Sequence, residues 1–108
     1  MKKNSSISIL MCVYNGERFL MEQLESIGCQ TRQPDSVTIY DDRSTDSSVK
    51  IIDNFILEHN LGLSWKTVIN SNRKGWRQIF YDAITECDSE YIFFVIRMIF
   101  GIPQKYRQ

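Results

Sequence analysis

Apolar positions fall into two rhythms along the chain. Ile7 to Val13 and Val37 to Tyr40 are short, nearly continuous apolar runs closed by turn-forming or acidic residues, the pattern of strands buried on both faces. Between them Phe19, Leu20, Leu24 and Ile27 recur at helical spacing, and Gly28 and Pro34 mark the exit from that helix. The N-cap-rich cluster Ser44-Thr45-Asp46-Ser47 leads into Val49, Ile52, Phe55 and Ile56, again on one helical face. Gly62 then separates this second helix from a third strand, Ser64 to Ile69. The polar stretch Asn70 to Lys74 opens a third helix with Ile79, Phe80, Ala83 and Ile84 facing inward, and Tyr91 to Ile96 reads as a fourth strand. The order β-α-β-α-β-α-β predicts an α/β fold, a parallel sheet with helices on its faces.

Open parallel sheets bind ligands beyond the carboxyl ends of their strands, so the residues following each strand carry the candidate chemistry. Here they are Tyr14-Asn15-Gly16, Asp41-Asp42-Arg43-Ser44 and Asn70 to Lys74. Two adjacent carboxylates, an aromatic ring and three cations (Arg73, Lys74, Arg77) therefore converge on one edge, a set of groups suited to a nucleotide. Neither a GxGxxG nor a GxxxxGKS loop is present, which argues against a dinucleotide dehydrogenase and a P-loop ATPase.

Composition narrows the reading further. At 108 residues the chain is one domain at most, and 43% hydrophobic with 24% charged residues fits a globular protein, not a disordered or fibrous one. Thirteen Lys and Arg balance thirteen Asp and Glu, so there is no basic excess for binding nucleic acid. Cys12, Cys29 and Cys87 are odd in number and lack the paired short spacing of a zinc site, which suits a reducing cytosol. Lys2 and Lys3 ahead of Ile7 to Val13 have the outline of a signal peptide, but Asn4 to Ser6 interrupt it. The longest apolar run, Tyr91 to Ile96, is far short of the roughly 20 residues that cross a bilayer. The expectation is a cytoplasmic protein without a membrane span, at most resting at the inner face of the cytoplasmic membrane.

These residues resemble the family 2 glycosyltransferases of GT-A fold. The stretch from Ser8 through Tyr14-Asn15-Gly16 is similar to their first strand and its Y-N-G turn, and Tyr40-Asp41-Asp42-Arg43-Ser44-Thr45-Asp46 resembles their D-D-x-S-T-D loop. Gly75-Trp76-Arg77-Gln78-Ile79-Phe80 is similar to the G-x-x-x-N-F segment that opens their third helix, with Ile79 where Asn is usual. The resemblance covers residues 7 to 95 and implies a partial GT-A (Rossmann-like) nucleotide-binding domain over residues 1–95. It implies a nucleotide-diphosphate sugar of uridine or thymidine type as partner. Asp42 would accept the imide proton of the base, Tyr14 would cover its ring, Asp41 would stand beside them, and Arg77 and then Arg73 would meet the diphosphate. Bland alternatives stand next to each role: Tyr14 as packing at the strand end, Asp41 as a solvated loop carboxylate, Arg73 and Lys74 as solvated cations. Asp46 reads better as a helix cap than as a ligand, and His59 as a residue favouring a helix C-terminus.

After the fourth strand the family places an Asp-x-Asp type motif, in this subgroup often D-Q-D-D-I-W, which holds Mg or Mn against the leaving diphosphate. This chain reads Val95-Ile96-Arg97-Met98-Ile99-Phe100-Gly101 there, and no carboxylate follows Glu90. Residues 96–108 therefore read as an aberrant tail, with no catalytic residue and no metal ligand expected in the chain. The genetic code supplies a reason. Met has one codon and every Ile codon begins AT, so a shift of one base at Met98-Ile99 must yield GAT, an Asp. With suitable codons, one T restored after Phe94 gives D-Q-D-D-I-W, as loss of a base in a T run would require. The resemblance thus implies a glycosyltransferase-like protein of surface polysaccharide assembly whose present chain is truncated by a frameshift and catalytically incompetent. The alternative is a non-catalytic nucleotide-binding or interaction module. A receiver-type signalling domain fits less well, lacking carboxylates after the first strand. An apolar edge strand at Tyr91 to Ile96 left uncovered would favour self-association.

Overall fold

The computed structural model describes residues 6–98, the side chains of Arg97 and Met98 excepted. Seven elements follow in the predicted order: β1 (Ile7–Tyr14), α1 (Glu17–Gly28), β2 (Ser36–Asp41), α2 (Ser48–Glu58), β3 (Trp65–Ile69), α3 (Trp76–Glu86) and β4 (Tyr91–Met98). The four strands form one sheet in the order β3-β2-β1-β4, every pair parallel. The direction of winding reverses at β1: β2 and β3 lie to one side of it, β4 to the other. β4 runs two residues beyond the predicted Ile96, its backbone paired with β1 as far as Tyr14 opposite Met98. Residues 99–108, the rest of the segment expected to be an aberrant tail, lie outside the described residues.

Strand alternation divides the core in two. Ile9, Met11 and Val13 of β1 point with Val37 and Ile39 of β2 toward α1 and α2, where Leu20, Leu24, Ile27, Ile52 and Phe55 meet them. Leu10 and Cys12 point the opposite way, against Ile79, Phe80 and Ala83 of α3. Each large side chain fully withdrawn from water here contributes about 1.5–3 kcal/mol, so the first cluster, with its eleven buried residues, dominates stability. Because α1 and α2 lie against each other, Gly28 is needed at their contact: a Cβ there would stand 3.0 Å from the Phe55 ring.

Two apolar residues expected on inner faces are exposed, while Val49 and Ile56 are half-buried. Phe19 is 51% exposed and Ile84 47% exposed, the first near the start of α1 and the second near the end of α3. Ile79, the departure from the usual Asn, is buried among Leu10, Cys12 and Phe80, so an apolar side chain is what this packing accommodates. Among the described residues, no helix is long and apolar enough to cross a membrane.

Candidate nucleotide-binding site

The loops after β1, β2 and β3 lie together at the carboxyl edge of the sheet, and the first two are laced to each other. Asn15 donates its backbone N–H to Ser44 Oγ (2.9 Å), and Gly16 donates to Ser48 Oγ (3.0 Å). In return Thr45 N–H donates to the Asn15 side-chain oxygen at 2.8 Å. Asn15 and Arg43 both take left-handed backbone, φ 50° and 69°, which turns the chain sharply enough for these exchanges.

The paired carboxylates do different work. Asp41 is buried and points into its own loop, accepting from Ser44 N–H (2.9 Å) and Ser44 Oγ (2.5 Å). Asp42 is fully withdrawn from water and binds the third loop. Its Oδ1 accepts from Asn70 Nδ2 (3.0 Å) and Lys74 N–H (2.9 Å), while Oδ2 accepts from Gly75 N–H (2.9 Å) and lies 3.5 Å from Arg73 Nε. Burial pushes the Asp42 pKa up, but the bonds from Asn70, Lys74 and Gly75 and the Arg73 charge outweigh it and hold the carboxyl below its ordinary value. Asp42 is therefore ionised at neutral pH. Gly75 can present its N–H only because it adopts φ 84° and ψ 153°, backbone open essentially to glycine alone.

Tyr14 ends β1 beside this carboxylate. The Arg73 guanidinium lies over its ring, 3.6 Å from the centroid, so Tyr14, Asp42 and Arg73 form one group. The other cations go elsewhere. Arg77, in the first turn of α3, lies over the Trp76 ring at 5.1 Å, and Lys74 reaches Asp82 at 3.4 Å. Asp46 is a cap, as its position before an amphipathic helix predicted, although the residue at the N-cap position itself is Ser47, which makes no side-chain capping bond. Asp46 Oδ1 accepts from Ser48 N–H (2.9 Å) and Oδ2 from Glu17 N–H (3.2 Å), so one carboxylate serves the first residue of both α2 and α1. His59 follows α2 and stacks on Phe55, its Nδ1 3.0 Å from the Phe55 carbonyl oxygen.

Of the residues expected on this edge, the structure brings Tyr14, Asp42 and Arg73 into one group but turns Arg77 and Lys74 to Trp76 and Asp82, and the holding roles of Asn70, Gly75, Asn15 and Ser44 were not read from the sequence. Asn70 and Gly75 hold the Asp42 carboxylate, and Asn15 and Ser44 tie the two loops. For Asn15 and Gly75 there was a signal, since both residue types favour left-handed backbone after a strand or before a helix.

The three-loop edge built from Tyr14-Asn15-Gly16, the paired aspartates and Gly75 carries the motifs of one known family. The family described as "Glycosyl transferase family 2" matches residues 8–95. The chain belongs to that family. Among curated proteins, this family 2 chain is 35% identical over 91 residues to the poly(ribitol-phosphate) beta-glucosyltransferase of Bacillus spizizenii, covering 82% of the chain and 14% of that protein. It is 33% identical over 86 residues to the glycosyltransferase GlyG of Streptococcus pneumoniae, covering 80% of the chain and 28% of that protein. The chain thus spans between about a seventh and a quarter of the length of these relatives. Solved structures with the same fold include the mannosyltransferase PcManGT from Pyrobaculum calidifontis in complex with GDP-Man and Mn2+ (TM-score 0.70, 20% identity, 83% of this chain and 26% of that one). S. aureus TarS is similar to the same degree (TM-score 0.70, 24% identity, 85% of this chain and 16% of that one). The fold is thereby that of part of a GT-A glycosyltransferase domain.

A divalent metal does not fit the residues described in this family 2 chain. Among them no three His, Cys, Asp or Glu side chains are grouped as ligands, and all four oxygens of Asp41 and Asp42 already accept hydrogen bonds from the protein.

Proposed function

We propose that the chain is the donor-recognition part of a glycosyltransferase and binds a nucleoside diphosphate of uridine or thymidine type without transferring the sugar. The observation that carries this reading is the meeting of Tyr14, Asp42 and Arg73 at the edge where parallel sheets receive nucleotides. An ionised, buried carboxylate suits an imide N–H, a tyrosine ring suits the face of a pyrimidine, and cations on the adjoining loop and the first turn of α3 suit the diphosphate. Asp41 supports the second loop and Arg77 meets the phosphates in this reading. The mannosyltransferase of the same fold, bound to GDP-Man and Mn2+, supports a nucleotide-sugar donor, and an intact relative would draw on Mg or Mn to neutralise the leaving diphosphate. The similarity to a poly(ribitol-phosphate) beta-glucosyltransferase supports a place in surface polysaccharide assembly.

Titration of the 108-residue chain with uridine diphosphate, beside a donor-consumption assay with Mg or Mn, tests the reading. Binding without turnover is expected, weakened about tenfold by Tyr14→Leu, since stacking a base on an aromatic ring is worth about 1–3 kcal/mol. Turnover above a no-enzyme control would refute the absence of catalysis. Failure to bind either uridine or thymidine diphosphate would refute the site.

A further inference from the structure

The group at the carboxyl edge is closed on itself. The Arg73 guanidinium covers a face of the Tyr14 ring, 3.6 Å from its centroid. Asp42 has four acceptor positions, two on each oxygen. Asn70 and Lys74 fill those of Oδ1, Gly75 takes one on Oδ2, and Arg73 Nε approaches the last at 3.5 Å, the longest of the four contacts. Three of these partners are fixed: two are backbone amides of the loop itself, and Asn70 is a buried side chain. Arg73 differs, because its side chain is 49% exposed and swings about several rotatable bonds. A flat N–H donor resting on an aromatic face and beside a carboxylate shares two features with the imide N–H of a pyrimidine, planarity and a donor aimed at the carboxylate, while differing in charge and in lacking the flanking carbonyl acceptors.

We propose that Arg73 is an internal stand-in for the nucleobase: in the free protein its guanidinium holds the ring face of Tyr14 and the remaining acceptor position of Asp42, and the base binds by displacing it. The inference rests on the nucleotide reading above and adds to it a direction of movement. Once displaced, the guanidinium remains tethered beside the base and is free to meet the diphosphate. Arg73 thus opposes a bare nucleoside but assists a nucleoside diphosphate, whereas a simple ligand contact would assist both.

The opposing signs make the test. Uridine and uridine diphosphate are titrated into the wild-type chain and into Arg73→Ala, a substitution at an exposed side chain that leaves the core untouched. Releasing the half-exposed Arg73 side chain from a long ion pair to buried Asp42 and from its cation–π contact predicts uridine binding several-fold to about tenfold tighter in the variant. Uridine diphosphate is expected to bind less tightly to the variant relative to uridine than it does to wild type. Unchanged or weaker uridine binding in Arg73→Ala overturns the stand-in role. A second readout needs no ligand: the Arg73 Nε–H proton is expected to be shifted upfield in the NMR spectrum by the Tyr14 ring and to return to its ordinary position in Tyr14→Leu. An unshifted proton in the free wild-type chain overturns the proposal whatever the titrations give. A shifted proton with no binding of either ligand to either protein overturns the nucleotide reading, and with it the displacement, and so is distinguishable from failure of Arg73 alone.

Discussion

Replacing Asp46 with alanine tests how the two loops are held, because one carboxylate is bonded to the N-terminal residues of two helices. Asp46 accepts from Ser48 N–H at 2.9 Å and Ser48 Oγ at 2.6 Å at the start of α2, and from Glu17 N–H at 3.2 Å at the start of α1. Loss of a capping side chain costs typically about 1 kcal/mol per helix. With two helix ends left open, Asp46→Ala is expected to lose about 2–3 kcal/mol. For a domain of this size that is a fall in Tm of roughly 10–20 °C. Ser47→Ala is the control: Ser47 occupies the N-cap position but makes no side-chain capping bond, so its loss is expected to stay within about 0.5 kcal/mol. Asp46→Asn, which keeps one acceptor oxygen, should fall between them. Urea unfolding followed by the fluorescence of buried Trp65, which packs 5.6 Å from Phe55, measures all three. Equal losses for Asp46→Ala and Ser47→Ala would refute the reasoning.

Acid titration adds a check on sign. Burial pushes the Asp46 pKa up, but the bonds from Ser48 and Glu17 prevail and hold it below its ordinary value. A carboxyl lowered in the folded state stabilises fully above its unfolded pKa, about 4, and loses that contribution as pH falls through the folded value. The gap between wild type and Asp46→Ala should therefore be constant from pH 7 to about 5 and narrow only below about 4. A gap that widened on acidification would contradict the assignment.

Other expectations follow from the same geometry. Gly75→Ala forces a side chain onto backbone at φ 84° and should cost about 1–3 kcal/mol in urea unfolding while weakening uridine diphosphate binding; an unchanged midpoint would show that the loop does not need this conformation. The Cys12 thiol is pushed up to about 12 by burial, with the Asp42 charge adding to it, so a thiol reagent at pH 8 should modify exposed Cys29 readily and Cys12 only after unfolding; fast labelling of Cys12 in the native chain would count against the buried core around it. Read with one base restored after Phe94, the gene is expected to encode D-Q-D-D-I-W; early stops and no Asp pair in that frame would rule out the frameshift.

The order of elements was legible because each apolar run keeps one period, and a period identifies a face. It does not give the width of that face, and for this reason Phe19 and Ile84 appeared to belong to the core. Both are about half exposed once the helices are packed, a fact the period alone does not supply. The candidate site was legible for a different reason: parallel sheets concentrate chemistry at one edge, so Tyr14, Asp42 and Arg73 could be grouped without any contact being known. Their actual partners were not legible, since Asn70 and Gly75 reach Asp42 across 28 and 33 residues of chain.

The bonds between the first two loops nonetheless follow a rule. β1 and β2 pair in register, Val13 opposite Asp41, an offset of 28 residues. The bonds of Asn15 to Ser44, Glu17 to Asp46 and Gly16 to Ser48 continue at offsets of 29, 29 and 32, so the ladder of the sheet passes into a ladder of side chains and backbone amides. Two helices that leave adjacent parallel strands by such matched loops must begin side by side. Their N-termini then bring two partial positive charges together, each roughly half an elementary charge. One ionised carboxylate placed between them is attracted to both, and Asp46 stands at that position.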